Sequence, residues 1–94
     1  PVGTARWRET DKGVKLERFA VRYVARGQGV GQALVQALLD DVALRAPGRY
    51  VYLHAQVSAV PLYLKFGFQT TGPQFDECGI WHYKMERLFH QQPN

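Results

Sequence analysis

Apolar positions recur every second residue in some stretches of this chain and with a helical period in others, and the switches between the two periods mark its elements. Val2 to Trp7 is a short β-compatible run with Ala5 and Trp7 on one side. Thr10-Asp11-Lys12-Gly13 has turn composition. Val14, Leu16 and Ala20 then alternate with Lys15, Glu17 and Phe19, which predicts a second strand through Val21 and an antiparallel hairpin with the first. Beyond a glycine-rich stretch, Val30, Leu34, Ala37, Leu38 and Val42 mark one face of a helix that Pro47-Gly48 ends. Tyr50-Val51-Tyr52-Leu53-His54-Ala55 is largely apolar and predicts a strand covered on both faces. Ser58 is the expected N-cap of a second helix, with Pro61 in its first turn and Ala59, Leu62, Tyr63 and Phe66 as its stripe. Gly67 suits the C′ position and Phe68 the apolar contact after it. Two more strands are expected near residues 69–72 and 80–88. In the second, Trp81, Tyr83 and Met85 oppose His82, Lys84 and Glu86. The order β-β-α-β-α-β-β predicts one α/β (α+β) domain over residues 1–94, with a mixed β-sheet and two helices.

Composition narrows the class. With 46% hydrophobic and 21% charged residues in 94, the chain is too apolar for intrinsic disorder. No apolar run approaches the roughly 20 residues a transmembrane helix needs, and no membrane association is expected. No leader-like block opens the chain, and Cys78 is the one cysteine, so an intramolecular disulfide is excluded and a reducing cytoplasm is expected. The chain opens at Pro1 on a strand, as a processed product or a piece of something longer would. Twelve Lys/Arg against eight Asp/Glu give +4. This balance reads either as a mildly basic protein or as a site for a polyanion or phosphate-bearing ligand; the basic residues are scattered from Arg6 to Arg87 rather than run together, so nucleic acid is not expected. His54, His82 and His90 lack metal-ligand spacing, and no metal is expected.

The candidate chemistry begins at Arg26-Gly27-Gln28-Gly29-Val30-Gly31, between a strand and an amphipathic helix. Glycines let backbone N–H groups approach a ligand, and the helix start adds free N–H groups and a positive dipole end. Together they suit a phosphate. A P-loop is excluded because Gln32-Ala33 stands where Lys-Ser/Thr is required, and G-x-G-x-x-G is not met after Gly27-x-Gly29.

This loop resembles the R/Q-x-x-G-x-G/A loop of the GNAT superfamily of N-acetyltransferases, preceded as in that family by a strand of Phe19-Ala20-Val21 type. Leu62-Tyr63-Leu64-Lys65-Phe66-Gly67-Phe68 is similar to the family's L-Y-x-K-x-G-F segment. Glu77-Cys78-Gly79-Ile80-Trp81-His82 resembles the E-x-G-I-x-H segment of its ElaA-like branch, which also has Gln at the position of Gln56. The family's first strand, first two helices and second strand have no counterpart here. The resemblance therefore implies the C-terminal part of an acyl-CoA N-acyltransferase fold.

The resemblance also implies a chemistry. Acetyl-CoA would be the donor, an amine on a small molecule or peptide the acceptor, and attack would be direct. Residues Arg26, Gly27, Gln28, Gly29, Val30, Gly31 and Gln32 would hold the pyrophosphate. The strand end Phe19, Ala20 and Val21 would splay from the next parallel strand and bond the pantetheine arm, and a free N–H near Val21 would stabilise the oxyanion. Gln56 would hydrogen-bond the donor. Tyr63 would protonate the leaving thiolate, and Glu17 or His82 would serve the acceptor amine, with Glu77 beside His82. His54, in an apolar strand, reads as a core histidine. A chain of this kind that holds acyl-CoA, or pairs with another chain, without turnover is the alternative. The sheet edge at Val2 is expected to be unpaired, which favours a homodimer or completion by an N-terminal segment.

Overall fold

The computed structural model describes residues 3–21 and 29–87, with side chains at 5–17 and 29–87. Strands β1 (Gly3–Thr10) and β2 (Gly13–Val21) form the expected hairpin. β1 runs past Trp7 because Arg8, Glu9 and Thr10 keep their partners Lys15, Val14 and Gly13, which leaves Asp11 and Lys12 to make the turn. The Thr10 hydroxyl accepts the Lys12 N–H at 3.1 Å and fastens that turn.

Helix α1 (Val30–Arg45) crosses to β3 (Val51–Gln56). A 3₁₀ turn (Val57–Ala59) leads into α2 (Val60–Leu64), and a hairpin of β4 (Phe68–Glu77) and β5 (Ile80–Arg87) follows. The strands form one sheet in the order β1-β2-β3-β5-β4, with β2 and β3 parallel and the other neighbours antiparallel. The mixed α+β order expected from the sequence is therefore the observed one. Among the described residues, no helix is long and apolar enough to cross a membrane.

Both helices pack on one face of the sheet. Val14, Leu16, Val51, Leu53, Ala55 and Met85 meet Val35, Leu38, Leu39 and Val42 of α1 and Tyr63 of α2. Leu16, Leu53, Phe68 and Met85 are sealed from solvent, each stabilising the fold by roughly 1.5–3 kcal/mol. The α1 stripe differs from the expected one: Ala37 is exposed, and Val35 and Leu39 are buried instead. The helix is apolar around most of its girth, and the sheet selects the face with the larger side chains. Ser58 does not cap α2. It lies in the 3₁₀ turn, and the N-cap is Ala59 without a side-chain bond. Gly67 takes the left-handed conformation at φ +86°, one place later than the expected C′ because the C-cap is Lys65, and its N–H bonds the Leu64 carbonyl at 3.2 Å.

Two irregularities shape the sheet. Thr4 pairs with Ala20 and Arg6 with Glu17, so Arg18 and Phe19 of β2 stand opposite Ala5 alone, a β-bulge. On β4, Gly72, Pro73 and Gln74 separate Thr71 from Phe75, while Tyr83 alone separates their partners Lys84 and His82. β4 therefore runs far beyond the expected 69–72, because a bulge absorbs the Gly-Pro pair rather than ending the strand.

Candidate functional site

The parallel ladder between β2 and β3 has three pairs among the described residues, Val14 with Val51, Lys15 with Tyr52 and Leu16 with Leu53. Both strands continue beyond it, β2 to Val21 and β3 to Gln56, without pairing to each other. The bulge at residues 18–19 bends β2 just past the last shared rung. The result is a gap between two parallel strands at their C-terminal ends, the place where open α/β sheets present backbone groups to ligands. Phe19, Ala20 and Val21 line the β2 side by their backbone, and their side chains are not among those described.

Arg26, Gly27 and Gln28 lie outside the described residues. The rest of the loop leads into the start of α1. Gly29 is its N-cap in the left-handed region at φ +77°, where a β-carbon would meet nothing within 4 Å. No side chain caps the helix, and its first turn holds no acidic residue. A 16-residue helix thus presents its positive end without an internal counter-charge among the described residues. Val30 is half-buried, Gln32 is exposed, and a β-carbon on Gly31 would touch Leu62 at 3.4 Å. The helix start therefore fits an anionic, phosphate-bearing group.

Tyr63 is buried in the core and meets the Phe68 ring edge-on at 6.1 Å between centroids. Burial pushes its phenol up to about 12, so the group stays protonated at neutral pH. Glu17 stands on β2 beside the gap, bridged to Arg6 at 2.7 Å and Arg8 at 3.0 Å. Burial raises its carboxyl, but hydrogen bonds and charge from the two arginines outweigh that and hold it below its ordinary value. Such a carboxylate is a weak base. Gln56, the last residue of β3, is exposed and pairs across the ladder with His82.

The face opposite the helices carries no helix among the described residues. Cross-strand partners share a face, which puts Glu17 of β2, Tyr52, His54 and Gln56 of β3, and His82 and Lys84 of β5 on it. β3 is covered on both faces as expected from Val51 to Leu53, but on this face by side chains and not by a helix: Tyr52 is buried, with its hydroxyl 2.9 Å from the Thr10 hydroxyl and Lys84 over its ring at 5.3 Å, while His54 and Gln56 beyond it are part-exposed and exposed.

His54 is not a core histidine. Its Nδ1 lies 3.0 Å from Glu77 Oε1, and its ring meets Phe75 edge-on. The other carboxylate oxygen of Glu77 is 3.6 Å from His82 Nε2. His82 is buried against Phe75, and its Nδ1–H donates to the Ile80 carbonyl at 2.8 Å. Glu77 thereby stands between two histidines that sequence reading treated separately, bonded to His54 and facing His82. Its link to His54 spans from β4 across β5 to β3, a neighbourhood that no sequence spacing encodes.

Comparison with known proteins gives a consistent result. Residues 1–89 match the family model described as acetyltransferase (GNAT) domain. The chain is 38% identical over 86 residues to the uncharacterised N-acetyltransferase YjcF of Bacillus subtilis, covering 90% of this chain and 61% of that protein. The crystal structure of Escherichia coli ElaA superposes with a TM-score of 0.85 at 32% identity, covering 93% of this chain and 60% of ElaA. That of an acyl-CoA N-acyltransferase from Pseudomonas aeruginosa superposes with the same TM-score at 27% identity, over 93% and 60% of the two chains. The chain spans about three-fifths of the length of these relatives.

Proposed function

The chain belongs to the GNAT acetyltransferase family, and we propose that it transfers an acetyl group from acetyl-CoA to an amine acceptor by direct attack of the amine on the thioester. The observation that carries this reading is the opening of the β2–β3 ladder after Leu16 and Leu53, beside an uncapped helix start. Acetyl-CoA supplies the activated acyl group. The first N–H groups of α1, with Gly29, Gly31 and Gln32, would hold its pyrophosphate, helped by Arg26, Gly27 and Gln28. The exposed backbone edge of residues 19–21 and the Gln56 amide would bond the arm between the strands. An N–H of that edge is suited to the developing oxyanion.

Tyr63 is the proposed donor to the departing sulfur. A phenol near 12 lies well above an ordinary thiol at roughly 8.5. Hydrogen-bond donation to the thiolate is therefore favoured over complete transfer. Glu17, held low by Arg6 and Arg8, is better suited to electrostatic placement of an ammonium than to removing its proton.

Calorimetric titration of the chain with acetyl-CoA, followed by a CoA-release assay over an amine panel, tests the reading. Binding with amine-dependent thiol release is expected. The alternative is an acyl-CoA-holding or protein-interaction module without turnover, and binding with no release from any amine would establish it. Absence of binding would overturn both.

A further inference from the structure

A concavity of about 300 Å³ opens on the helix-free face, between the β1–β2 turn and the centre of the sheet. His54 lines it, as do Tyr52, Arg8, Lys12 and Lys84, with Asp11 as the one carboxylate. His54 is also the first residue of β3 past the last shared rung with β2, as Glu17 is on the other strand. The concavity therefore reaches the mouth of the gap at His54.

The hydrogen bonds fix what His54 can do. A carboxylate accepts, so the proton in its bond to Glu77 sits on Nδ1, and Nε2 is the nitrogen left to take another. The ring is about a quarter exposed, whereas that of His82 is nearly sealed. His82 has Nδ1 committed to a carbonyl and Nε2 facing Glu77, so it stands behind the carboxylate rather than in front of a ligand. When His54 gains a proton, the resulting imidazolium is already paired with Glu77, an arrangement that orients and stabilises a histidine base.

Resting on the acetyltransferase reading, we propose that the acceptor amine binds in this concavity, gives its proton to His54 Nε2, and carries an anionic group held on the Arg8, Lys12 and Lys84 side. Glu77 is a positioning residue, with His82 behind it. An ammonium acceptor passes one proton to Nε2 and becomes a free amine. The amine lone pair forms the N–C bond to the acyl carbon, the C–S bond breaks, and its electron pair leaves on sulfur. The amine's second proton goes to solvent and the product is a neutral amide. Arg8 is already bridged to Glu17 at 3.0 Å, so Lys12 and Lys84 against Asp11 carry the excess positive charge, which favours an acceptor bearing a carboxylate or phosphate over its uncharged counterpart. Lys84 is steadied for this by the rings of Tyr50 and Tyr52 at 5.7 and 5.3 Å.

The test measures kcat/KM for CoA release against pH, with α-amino acids and their amides as matched acceptors, for the chain, His54→Gln, Glu77→Gln and Lys12→Gln. The charged and titratable groups around His54 among the described residues are Glu77, His82 behind it, Tyr52 beside it on β3, Glu17 just past the last shared rung on β2, Lys84 on β5, and Arg8, Asp11 and Lys12 across the concavity. Loss of a positioned base costs about 10²–10⁴-fold. His54→Gln is expected to lose that much at neutral pH, to recover as alkali deprotonates the amine itself, and to keep its acetyl-CoA affinity. Glu77→Gln should lose less and move the acid limb of the profile, which a purely structural role would not do. Lys12→Gln should narrow the preference for the acid over the amide. Wild-type kcat/KM and profile in a folded His54→Gln would overturn the base, and equal use of acids and amides would overturn the anion seat. A chain that binds acetyl-CoA but acetylates no amine refutes the acetyltransferase reading itself, and the assignment with it.

Discussion

The indole N–H of Trp7 donates to Asp41 Oδ2 at 2.8 Å, tying edge strand β1 to the middle of α1 across 34 residues of sequence. The same carboxylate takes a bond from Arg45 Nε at 2.8 Å one helical turn on. The Trp7 bond, reinforced by Arg45, outweighs burial and holds the Asp41 carboxyl below its ordinary value.

A carboxyl lowered in the native state stabilises the fold in full above its unfolded value, near 3.9, and loses that contribution as pH falls through the native one. Urea midpoints of the chain should therefore exceed those of Asp41→Asn at about pH 6, with the gap closing toward about pH 3. A gap that persists unchanged at acid pH would assign the effect to packing. Trp7→Phe should lower the midpoint in the same sense.

Gly13 is expected to tolerate no side chain. Its φ is +147°, and a β-carbon would stand 2.5 Å from the Tyr50 carbonyl, which accepts the Val14 N–H at 2.7 Å. Gly13→Ala should destabilise by roughly 1–3 kcal/mol, read as a lower denaturation midpoint with an unchanged slope. A midpoint equal to that of the parent would show that β3 can shift away from the turn.

Tyr50 and Tyr63 should titrate late. Burial, the bond to Glu86 at 2.7 Å and that carboxylate's charge push Tyr50 up to about 12, and burial pushes Tyr63 up to about 12. Native pKa values raised above the unfolded 10 favour the fold below that pH, and the benefit is lost as pH rises through about 12. The melting temperature should fall over this interval, and Tyr50→Phe should flatten the fall. Complete phenolate absorbance by about pH 11 in a folded chain would contradict both assignments.

Tyr63→Phe should lower kcat about a hundredfold with acetyl-CoA affinity unchanged, the small end of the range for a general acid because its phenol is so weak an acid. Pre-steady-state measurement of CoA release, where chemistry limits the rate, is the relevant reading. An unaltered rate there would leave Tyr63 as a packing residue against Phe68.

Gly29→Val should weaken acetyl-CoA binding by more than tenfold with the fold retained. Space for the side chain is open, so the cost comes from forcing a β-branched residue into the left-handed region, about 1–2 kcal/mol, and from crowding the helix start. Calorimetry with the variant and its circular dichroism decide the matter together. Undiminished affinity would move the phosphate site away from α1.

What could be seen in the sequence follows from which signals are local. The hairpin, the helix-stopping Pro47-Gly48 and the left-handed Gly67 are dictated by a few adjacent residues, and they stand as expected. The stripe on α1 was ambiguous because Val35 and Leu39 compete with Leu34 and Ala37, and only the sheet decides between them. Gly72-Pro73 reads as a stop because a bulge needs its partner strand to be recognised. Of the proposed site, the glycine loop and Tyr63 are visible as motifs. His54 is not, since its polar partner Glu77 arrives from a strand two places away in the sheet.

The bulge at residues 18–19 puts one extra residue into β2 just past its last rung with β3. Deleting one codon there would restore the register of β2 with β1 all the way to Gly3. The straightened strand could then zip onto β3 beyond Leu16 and Leu53. Such a lesion would seal the mouth of the gap while leaving Tyr63, His54, Glu77 and the whole glycine loop untouched. The openness of the gap would then rest on one residue of chain length in β2.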